Sequence, residues 1–338
     1  MAESAGPYPE PDRVEGAPHP RDAAALFGQE AAERAVLEAW AAGKLHHAWL
    51  LRGPRGIGKA TLAYRIARAR LAHDDAAAPG RLGGGGAPET LDLPADHPVA
   101  RRVAAEAEPR LIVVRRALRT KPGSDALETP HRLRTEITVD PIAKLAGFLR
   151  LSAADGGWRV VILDAADEMN ASAANKLLKM LEEPPARTML LLVAHAPGRL
   201  LPTIRSRCRG LDLQPLGAED LARALAQAGV PPGESAEALA ALSGGAPGEA
   251  LRLIAADGPA HYARLAALLA DAPLADRSRL VRLSETGAAR ETEPADALAA
   301  MTVLLLQRLA RAGERAEPGA EAAPGERARA ARLAPDLA

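Results

Sequence analysis

A phosphate-binding spacing is the feature of this chain that most directly specifies chemistry. Residues 53–59 read G-P-R-G-I-G-K, which matches the pattern G-x-x-x-x-G-K. In such a loop the glycines let consecutive backbone N–H groups converge on phosphate oxygens, and the lysine neutralises the outer phosphates. The next position, where a Ser or Thr would ligate Mg²⁺, is Ala60. The pattern predicts a loop that holds a nucleotide and is poorly equipped to hydrolyse it.

We expect the nucleotide contacts to come from the loop and from the start of the helix that follows it: Gly53, Pro54, Arg55, Gly56, Ile57, Gly58, Lys59, Ala60 and Thr61. Bound ATP or ADP is the cofactor that this loop indicates. Thr61 could replace the missing hydroxyl, but one step along a helix turns a side chain by about 100°. Binding of Mg²⁺ is therefore left open by the sequence.

A second group of candidate residues follows an apolar run. Residues 159–168 read R-V-V-I-L-D-A-A-D-E, which is typical of a buried parallel strand with an acid at its carboxyl end. Asp164 is predicted to organise Mg²⁺ near the phosphates, although an acid that only caps a strand would give the same pattern. The next residue is Ala165, so no carboxylate directly follows Asp164 to activate water. Asp167 and Glu168 lie further along the chain, and their carboxylates would have to reach back toward position 165 to activate water.

A sheet and several helices are needed to position these side chains. Apolar runs predict strands at Ala48–Leu51 and Leu111–Val114. Helical periodicity predicts helices over Leu26–Ala42, Ala60–Leu71 and Val139–Leu151. The phosphate loop would then connect a strand to a helix whose N-terminus faces the anion.

Two segments have the composition of connections rather than of core. Residues 1–21 carry five prolines and mixed charge, which predicts a flexible leader. Pro79–Pro98 contain four consecutive glycines and read as a linker or surface insertion. Arg101–Lys121 hold seven basic residues against two glutamates, and this excess indicates either a solvated face or a patch that follows a phosphate backbone.

Composition limits the function classes. Lys+Arg and Asp+Glu both number 43 in 338 residues, so no global basic field indicates nucleic acid binding. Cys208 is the only cysteine, which excludes an internal disulfide and a multi-cysteine zinc site. Since no apolar run reaches about 18 residues, we expect a soluble, cytoplasmic protein without membrane contacts.

The segment from residue 169 to residue 208 carries a family resemblance. It contains M-N-A-S-A-A-N-K-L-L-K-M-L-E-E-P-P, then a strand at Met189–Val193, and then L-L-P-T-I-R-S-R-C, which ends at Cys208. In this order, after a phosphate loop and a strand that ends in Asp, these motifs resemble bacterial DNA polymerase III clamp-loader subunits of the AAA+ superfamily. The specific resemblance is to the delta-prime type, and it covers Phe27 to Leu213.

The resemblance implies a fold and a domain organisation. An α/β P-loop (AAA+) domain with a parallel sheet is expected over residues 22–214, after the leader at 1–21. A small helical lid domain at 215–258 and an all-α collar domain at 259–313 would follow. Residues 314–338, rich in Ala, Pro and charge, are expected to be a disordered tail.

The resemblance also implies residue roles. Arg207, in Ser-Arg-Cys, would project onto the ATP of a neighbouring subunit as an arginine finger, and His195 would be a candidate γ-phosphate sensor. Gly248 stands where active members carry a phosphate-binding Arg, so it joins Ala60 and Ala165 as a missing hydrolytic group. Cys208 would be a small buried hydrophobe rather than a nucleophile.

The implied function is that of a largely non-hydrolysing stator without polymerase activity of its own. Its partners would be gamma/tau and delta subunits in a hetero-pentameric ring, the sliding clamp and primer-template DNA, at the replisome and nucleoid. Many delta-prime subunits carry a four-cysteine zinc module, but Pro79–Pro98 contain no cysteine, so no zinc is predicted. The alternative is a hydrolytically active, gamma/tau-like clamp-loader ATPase in which Thr61 and either Asp167 or Glu168 restore turnover.

Overall fold

The chain divides into two compact units, residues 1–214 and 215–338. The computed structural model describes residues 10–14, 16–76, 86–121, 127–128, 131–150, 157–230, 236–258, 260, 262–263 and 302. The predicted tail at 314–338 lies outside the described residues. The predicted collar lies outside them too, apart from residues 260, 262, 263 and 302. The domain boundaries therefore stay predictions.

A parallel five-stranded sheet forms the centre of the first unit. Its strands, in chain order, are β1 (Ala48–Arg52), β2 (Leu111–Val114), β3 (Arg159–Asp164), β4 (Thr188–Ala194) and β5 (Arg209–Asp212). They pair in the order β2-β3-β4-β1-β5, every pair parallel. All residues of β3 and β4 are buried, as expected for central strands covered on both faces. The predicted α/β fold with a parallel sheet is confirmed for the first unit.

The described part of the first unit has the three helices that periodicity predicted and three more. They are α1 (Glu30–Ala41), α2 (Lys59–Ala76), α3 (Pro98–Ala104), α4 (Val139–Arg150), α5 (Ala171–Glu182) and α6 (Pro202–Arg205), of which α1, α2 and α4 are the predicted ones. The side chain of Asn170 caps α5 by accepting a hydrogen bond from the backbone N–H of Ala173 at 2.9 Å. Short 3-10 turns cover Ala166–Glu168 and Pro197–Arg199. In the part of the chain that is described, no helix is both long and apolar enough to span a bilayer.

The second unit is helical where it is described. Its helices are α7 (Ala218–Gln227), α8 (Ala236–Ser243) and α9 (Pro247–Ala255). Leu221 and Leu225 are fully buried on one face of α7, one helical turn apart. These helices lie within the range that was predicted to form the lid.

The described part of the predicted flexible leader makes contacts with the rest of the first unit. Asp12 accepts two hydrogen bonds of 3.0 Å from Arg115, and its side chain is 1% exposed. Arg21 pairs with Glu106 at 2.6 Å, and its carbonyl accepts from the buried Arg68. The leader is therefore tied to α2 and to the end of β2 by ion pairs between residues far apart in sequence.

The segment at 79–98 also departs from the prediction of a simple surface insertion. Leu91 is 1% exposed and belongs to the core. Asp92 pairs with Arg65 of α2 at 2.7 Å. Its described second half, residues 86–98, thus packs on the domain and leads into α3.

Candidate functional site

The phosphate loop directly follows β1 and precedes α2, as predicted. Gly53, Gly56 and Gly58 have positive φ angles of 145°, 77° and 102°. A Cβ atom on Gly58 would lie 2.7 Å from Cδ1 of Leu26. The backbone conformation therefore favours glycine at this position, and a larger residue would also require the Leu26 side chain to shift. The loop leaves its N–H groups at the N-terminus of α2, which is the arrangement that holds phosphates.

Lys59 is folded back onto its own loop. Its Nζ donates hydrogen bonds to the carbonyl oxygens of Gly53 at 2.7 Å and Pro54 at 2.6 Å. Burial lowers the pKa of the Lys59 ammonium to about 8, partly opposed by the nearby carboxylates of Asp164 and Asp167. Phosphate oxygens of a bound nucleotide would replace these carbonyl oxygens as hydrogen-bond acceptors. The ammonium group of Lys59 therefore already lies beside the loop.

Asp164 ends β3 at the same edge of the sheet. The pKa of its carboxyl group is raised to about 7, mainly by burial and also by the nearby Asp12, while Lys59 opposes the rise. The influence of Asp12 means that a leader carboxylate lies close to the candidate site. The sequence held no signal for this proximity, because Asp12 lies far from Asp164 along the chain and in a proline-rich stretch.

The oxygen ligands that hydrolysis needs are incomplete. Ala60 has no side-chain oxygen, and Ala165 is 3% exposed directly after Asp164. Thr61 is half-buried on α2. The loop, the helix N-terminus and Lys59 suit phosphates, whereas the ligand set for Mg²⁺ lacks the hydroxyl at position 60. Among the described residues, no group of three or more His, Cys, Asp or Glu side chains is placed to hold a metal ion.

The two acids that could replace a water-activating base are engaged in other contacts. The buried carboxylate of Asp167 accepts hydrogen bonds from the backbone N–H groups of His195 at 2.9 Å and Ala196 at 2.8 Å. Glu168 pairs with Arg116 at 2.7 Å. Asp167 thereby fixes the turn after β4, and neither acid is held ready to activate water.

His195, the sensor candidate, lies at the phosphate-loop edge of the sheet. Ala194, the last residue of β4, pairs in register with Arg52, the last residue before the loop. His195 is half-buried, and its backbone position is set by Asp167. The structure therefore brings His195, Asp164 and Lys59 to one edge of the sheet.

Arg207 lies at the opposite edge. It comes just before β5, whose first residue, Arg209, pairs with Trp49 near the start of β1. The phosphate loop begins at Gly53, which is about 13 Å further along β1 at about 3.3 Å per residue. Because the strands are parallel, Arg207 is at their amino ends and the loop is at their carboxyl ends. Arg207 is not brought together with its own chain's candidate nucleotide site.

The guanidinium of Arg207 is held at its two terminal nitrogens. Nη2 pairs with Oε1 of Glu182 at 2.9 Å, and Nη1 donates to the carbonyl oxygen of Thr203 at 3.1 Å. The Arg207 side chain is 36% exposed. Glu182 was not among the predicted site residues, although it stands in the L-E-E-P-P turn that carried the resemblance.

The residues around Arg207 have other contacts. Arg205 is exposed at the end of α6, and the guanidinium of Arg209 stacks over the ring of Trp49 with its carbon 4.9 Å from the ring centroid. Cys208 is partly buried against the core, and burial raises the pKa of its thiol to about 12. The thiol thus stays protonated and is a poor nucleophile at neutral pH.

The basic run Arg101–Lys121 is largely neutralised. Glu108 is shared by Arg102 at 2.7 Å and Arg110 at 2.9 Å. Further pairs join Arg115 to Asp12 and Glu106, Arg116 to Glu168, and Arg119 to Glu128. These contacts favour a charged surface held by ion pairs over a patch that follows a phosphate backbone.

Comparison with known sequences identifies a family and several relatives. A family model described as DNA polymerase III, delta subunit, matches residues 28–217. DNA polymerase III subunit delta' of Pseudomonas aeruginosa is 41% identical over 201 residues, covering 58% of this chain and 52% of that protein. DNA polymerase III subunit gamma of Buchnera aphidicola is 27% identical over 196 residues, covering 58% of this chain and 46% of that protein.

Solved structures resemble this chain at lower sequence identity, and one of them serves as an example. The Thermotoga maritima RuvB Holliday junction branch migration motor matches with a TM-score of 0.39 and 17% identity, covering 85% of this chain and 73% of that chain. The sequence matches are more specific, although the chain spans about half the length of the curated relatives. The resemblance to delta-prime clamp-loader subunits is confirmed, and the chain belongs to the family described as DNA polymerase III, delta subunit.

Proposed function

We propose that this chain is the delta-prime stator of a DNA polymerase III clamp loader. It would hold a nucleotide weakly or statically in its own loop and supply Arg207 to the ATP bound by a neighbouring subunit. One observation carries the proposal: Arg207 lies partly exposed at the edge of the sheet opposite to the phosphate loop. An arginine in that position can act only on a nucleotide held by another chain.

The chemistry in trans would be phosphoryl transfer to water. Water attacks the γ-phosphorus, the bond to the β,γ-bridging oxygen breaks, and ADP and inorganic phosphate form while the proton of the water leaves to the neighbour's base. Negative charge on the transferring group and the leaving oxygen is offset by the guanidinium. Such an arginine is worth on the order of 10³–10⁵ in rate.

A stator role also explains why this chain lacks several groups that ATP hydrolysis needs. Ala60 supplies no Mg²⁺ ligand, Ala165 no water-activating base and Gly248 no cation. Asp167 and Glu168, which the alternative of an active ATPase requires, have contacts of their own. ATP or ADP bound at Lys59 would therefore have a structural use.

The proposed partners are gamma/tau and delta subunits in a hetero-pentameric ring, with the sliding clamp and primer-template DNA bound through the complex. Curated relatives of this chain include subunits named gamma and tau, at 26–28% identity. The net charge of +0 suits a subunit whose principal contacts are with proteins.

Reconstitution tests the trans role. A loader assembled with Arg207→Ala should form normally and lose ATP-dependent clamp loading, because the guanidinium is missing at the neighbour's nucleotide. Arg205→Ala removes an exposed arginine two residues away and should retain loading. Equal loading by the two variants would contradict the proposal.

Turnover by this chain alone tests the alternative. The purified chain should hydrolyse ATP no faster than background, with and without DNA. Turnover that disappears on Lys59→Ala would establish an active ATPase in place of a stator.

A further inference from the structure

The Arg207 side chain is oriented by its own chain before any neighbour arrives. Glu182 and the Thr203 carbonyl bind two different nitrogens of the guanidinium, at 2.9 Å and 3.1 Å. Two contacts on separate nitrogens fix the plane of the group as well as its place. An arginine has five N–H donors, so donors remain for the oxygens of a phosphate.

Glu182 carries a negative charge at a position where the helix dipole disfavours negative charge. It is the last residue of α5, and the C-terminus of a helix carries partial negative charge that favours cations. Lys179 follows that rule in the last turn, whereas Glu182 breaks it. Residues that break a local rule without gain in stability are concentrated at functional sites.

The contact contributes little to the fold. The side chains of Arg207 and Glu182 are 36% and 47% exposed, and exposed ion pairs have small effects on stability. Its effect is to restrict a long, flexible side chain to one arrangement. Pre-ordering of this kind reduces the entropy that is lost when the group meets its target.

We propose that Glu182 is a positioning residue that holds Arg207 in the orientation needed for a neighbour's nucleotide. This rests on the proposed function, since it assumes the trans role of Arg207. Glu182 touches no nucleotide in this scheme and acts only through the guanidinium.

The test uses the reconstituted loader with clamp and primed DNA, in which only this subunit is varied. Glu182→Gln should lower kcat for ATP about tenfold, as small misplacements of catalytic groups do, and leave KM for ATP unchanged. Glu183→Gln, which removes the same charge from the next, exposed residue, should stay within about twofold of wild type. Both variants should unfold at the same urea concentration as wild type.

A double variant separates positioning from other effects. In an Arg207→Ala background, Glu182→Gln should cause no further loss, because the residue it positions is gone. If Glu182→Gln behaves like Glu183→Gln while Arg207→Ala loses activity, the positioning role is overturned and the trans role stands. If Glu182→Gln still lowers kcat without Arg207, the positioning role is likewise overturned. If Arg207→Ala keeps full activity, the trans role itself fails.

Discussion

A carboxylate in the candidate site is free to activate water only if its oxygens are not already hydrogen-bonded within the chain. Asp167 is one of the two acids that could replace the missing water-activating base, yet both of its oxygens accept backbone N–H groups after β4. The sequence could not reveal this, since the partners are 28 and 29 residues away. The place of the phosphate loop between a strand and a helix, in contrast, was predictable, because it depends on local glycines and on the neighbouring apolar run.

The contacts of Asp167 lead to a stability prediction. Asp167→Ala leaves two backbone N–H groups without their acceptor and should lower the free energy of unfolding by about 3 kcal/mol. Asp167→Asn keeps one acceptor oxygen and should cost less. Urea denaturation measures both values, and Glu168→Gln, which affects a partly exposed pair, should change stability by less than about 1 kcal/mol.

The buried carboxyl group of Asp164 leads to a pH prediction. Its pKa rises from 3.8 to about 7 on folding, so the folded state retains a proton that the unfolded state releases. Binding of this proton stabilises the folded state at low pH, and the stabilisation is lost as the pH rises from about 4 to 7. Asp164→Asn should be stabilising at pH 8, and its advantage should shrink by about 2 kcal/mol at pH 5. An advantage that is the same in urea titrations at both pH values would contradict this.

Elements of the first unit were predictable where one apolar pattern decides them. The strands Leu111–Val114 and Arg159–Asp164 are as expected, because each contains an unbroken apolar run, which is fully buried in the central strand and partly buried in the outer one. The contacts of the leader were not predictable, because they depend on distant charges. Asp12 and Arg115 are 103 residues apart, and a proline-rich composition carries no trace of that pair.

The docked leader gives a prediction at the scale of the element. Asp12→Ala removes the acceptor of a mostly buried ion pair and should lower the free energy of unfolding by about 2–3 kcal/mol. It should also speed tryptic cleavage after Arg13, because residues 10–14 are then released. Asp22→Asn, whose side chain is 45% exposed, serves as the matched control and should leave cleavage unchanged. Equal cleavage of the wild type and the Asp12 variant would show that the pair does not hold the leader.

At the scale of the whole molecule, we propose different roles for the two edges of the sheet. The carboxyl edge holds the phosphate loop with Lys59, Asp164 and His195, and the amino edge holds Arg207 with Glu182. The separation follows from the parallel direction of the strands, since Arg207 precedes β5 and the phosphate loop follows β1. A chain arranged in this way can bind a nucleotide at one edge and act on another chain's nucleotide at the other.

Nucleotide binding by the isolated chain tests the carboxyl edge. ATP should bind with an affinity that falls at least about tenfold on Lys59→Ala, since one phosphate cation is lost. Removing Mg²⁺ should change the affinity by less than about threefold, because Ala60 supplies no ligand to the ion. Titration calorimetry measures both, with Lys44→Ala, an exposed lysine, as the control. If ATP bound only in the presence of Mg²⁺, the inference that Ala60 leaves the ion without a needed ligand would be contradicted.

The most direct test compares the two edges in one assembly. ATP turnover of the reconstituted loader, with clamp and primed DNA, should fall at least about a hundredfold with Arg207→Ala in this subunit. With Lys59→Ala it should stay within about twofold of wild type, since this chain's own nucleotide is not hydrolysed. The reverse outcome, with turnover lost in the Lys59 variant and kept in the Arg207 variant, would contradict the account.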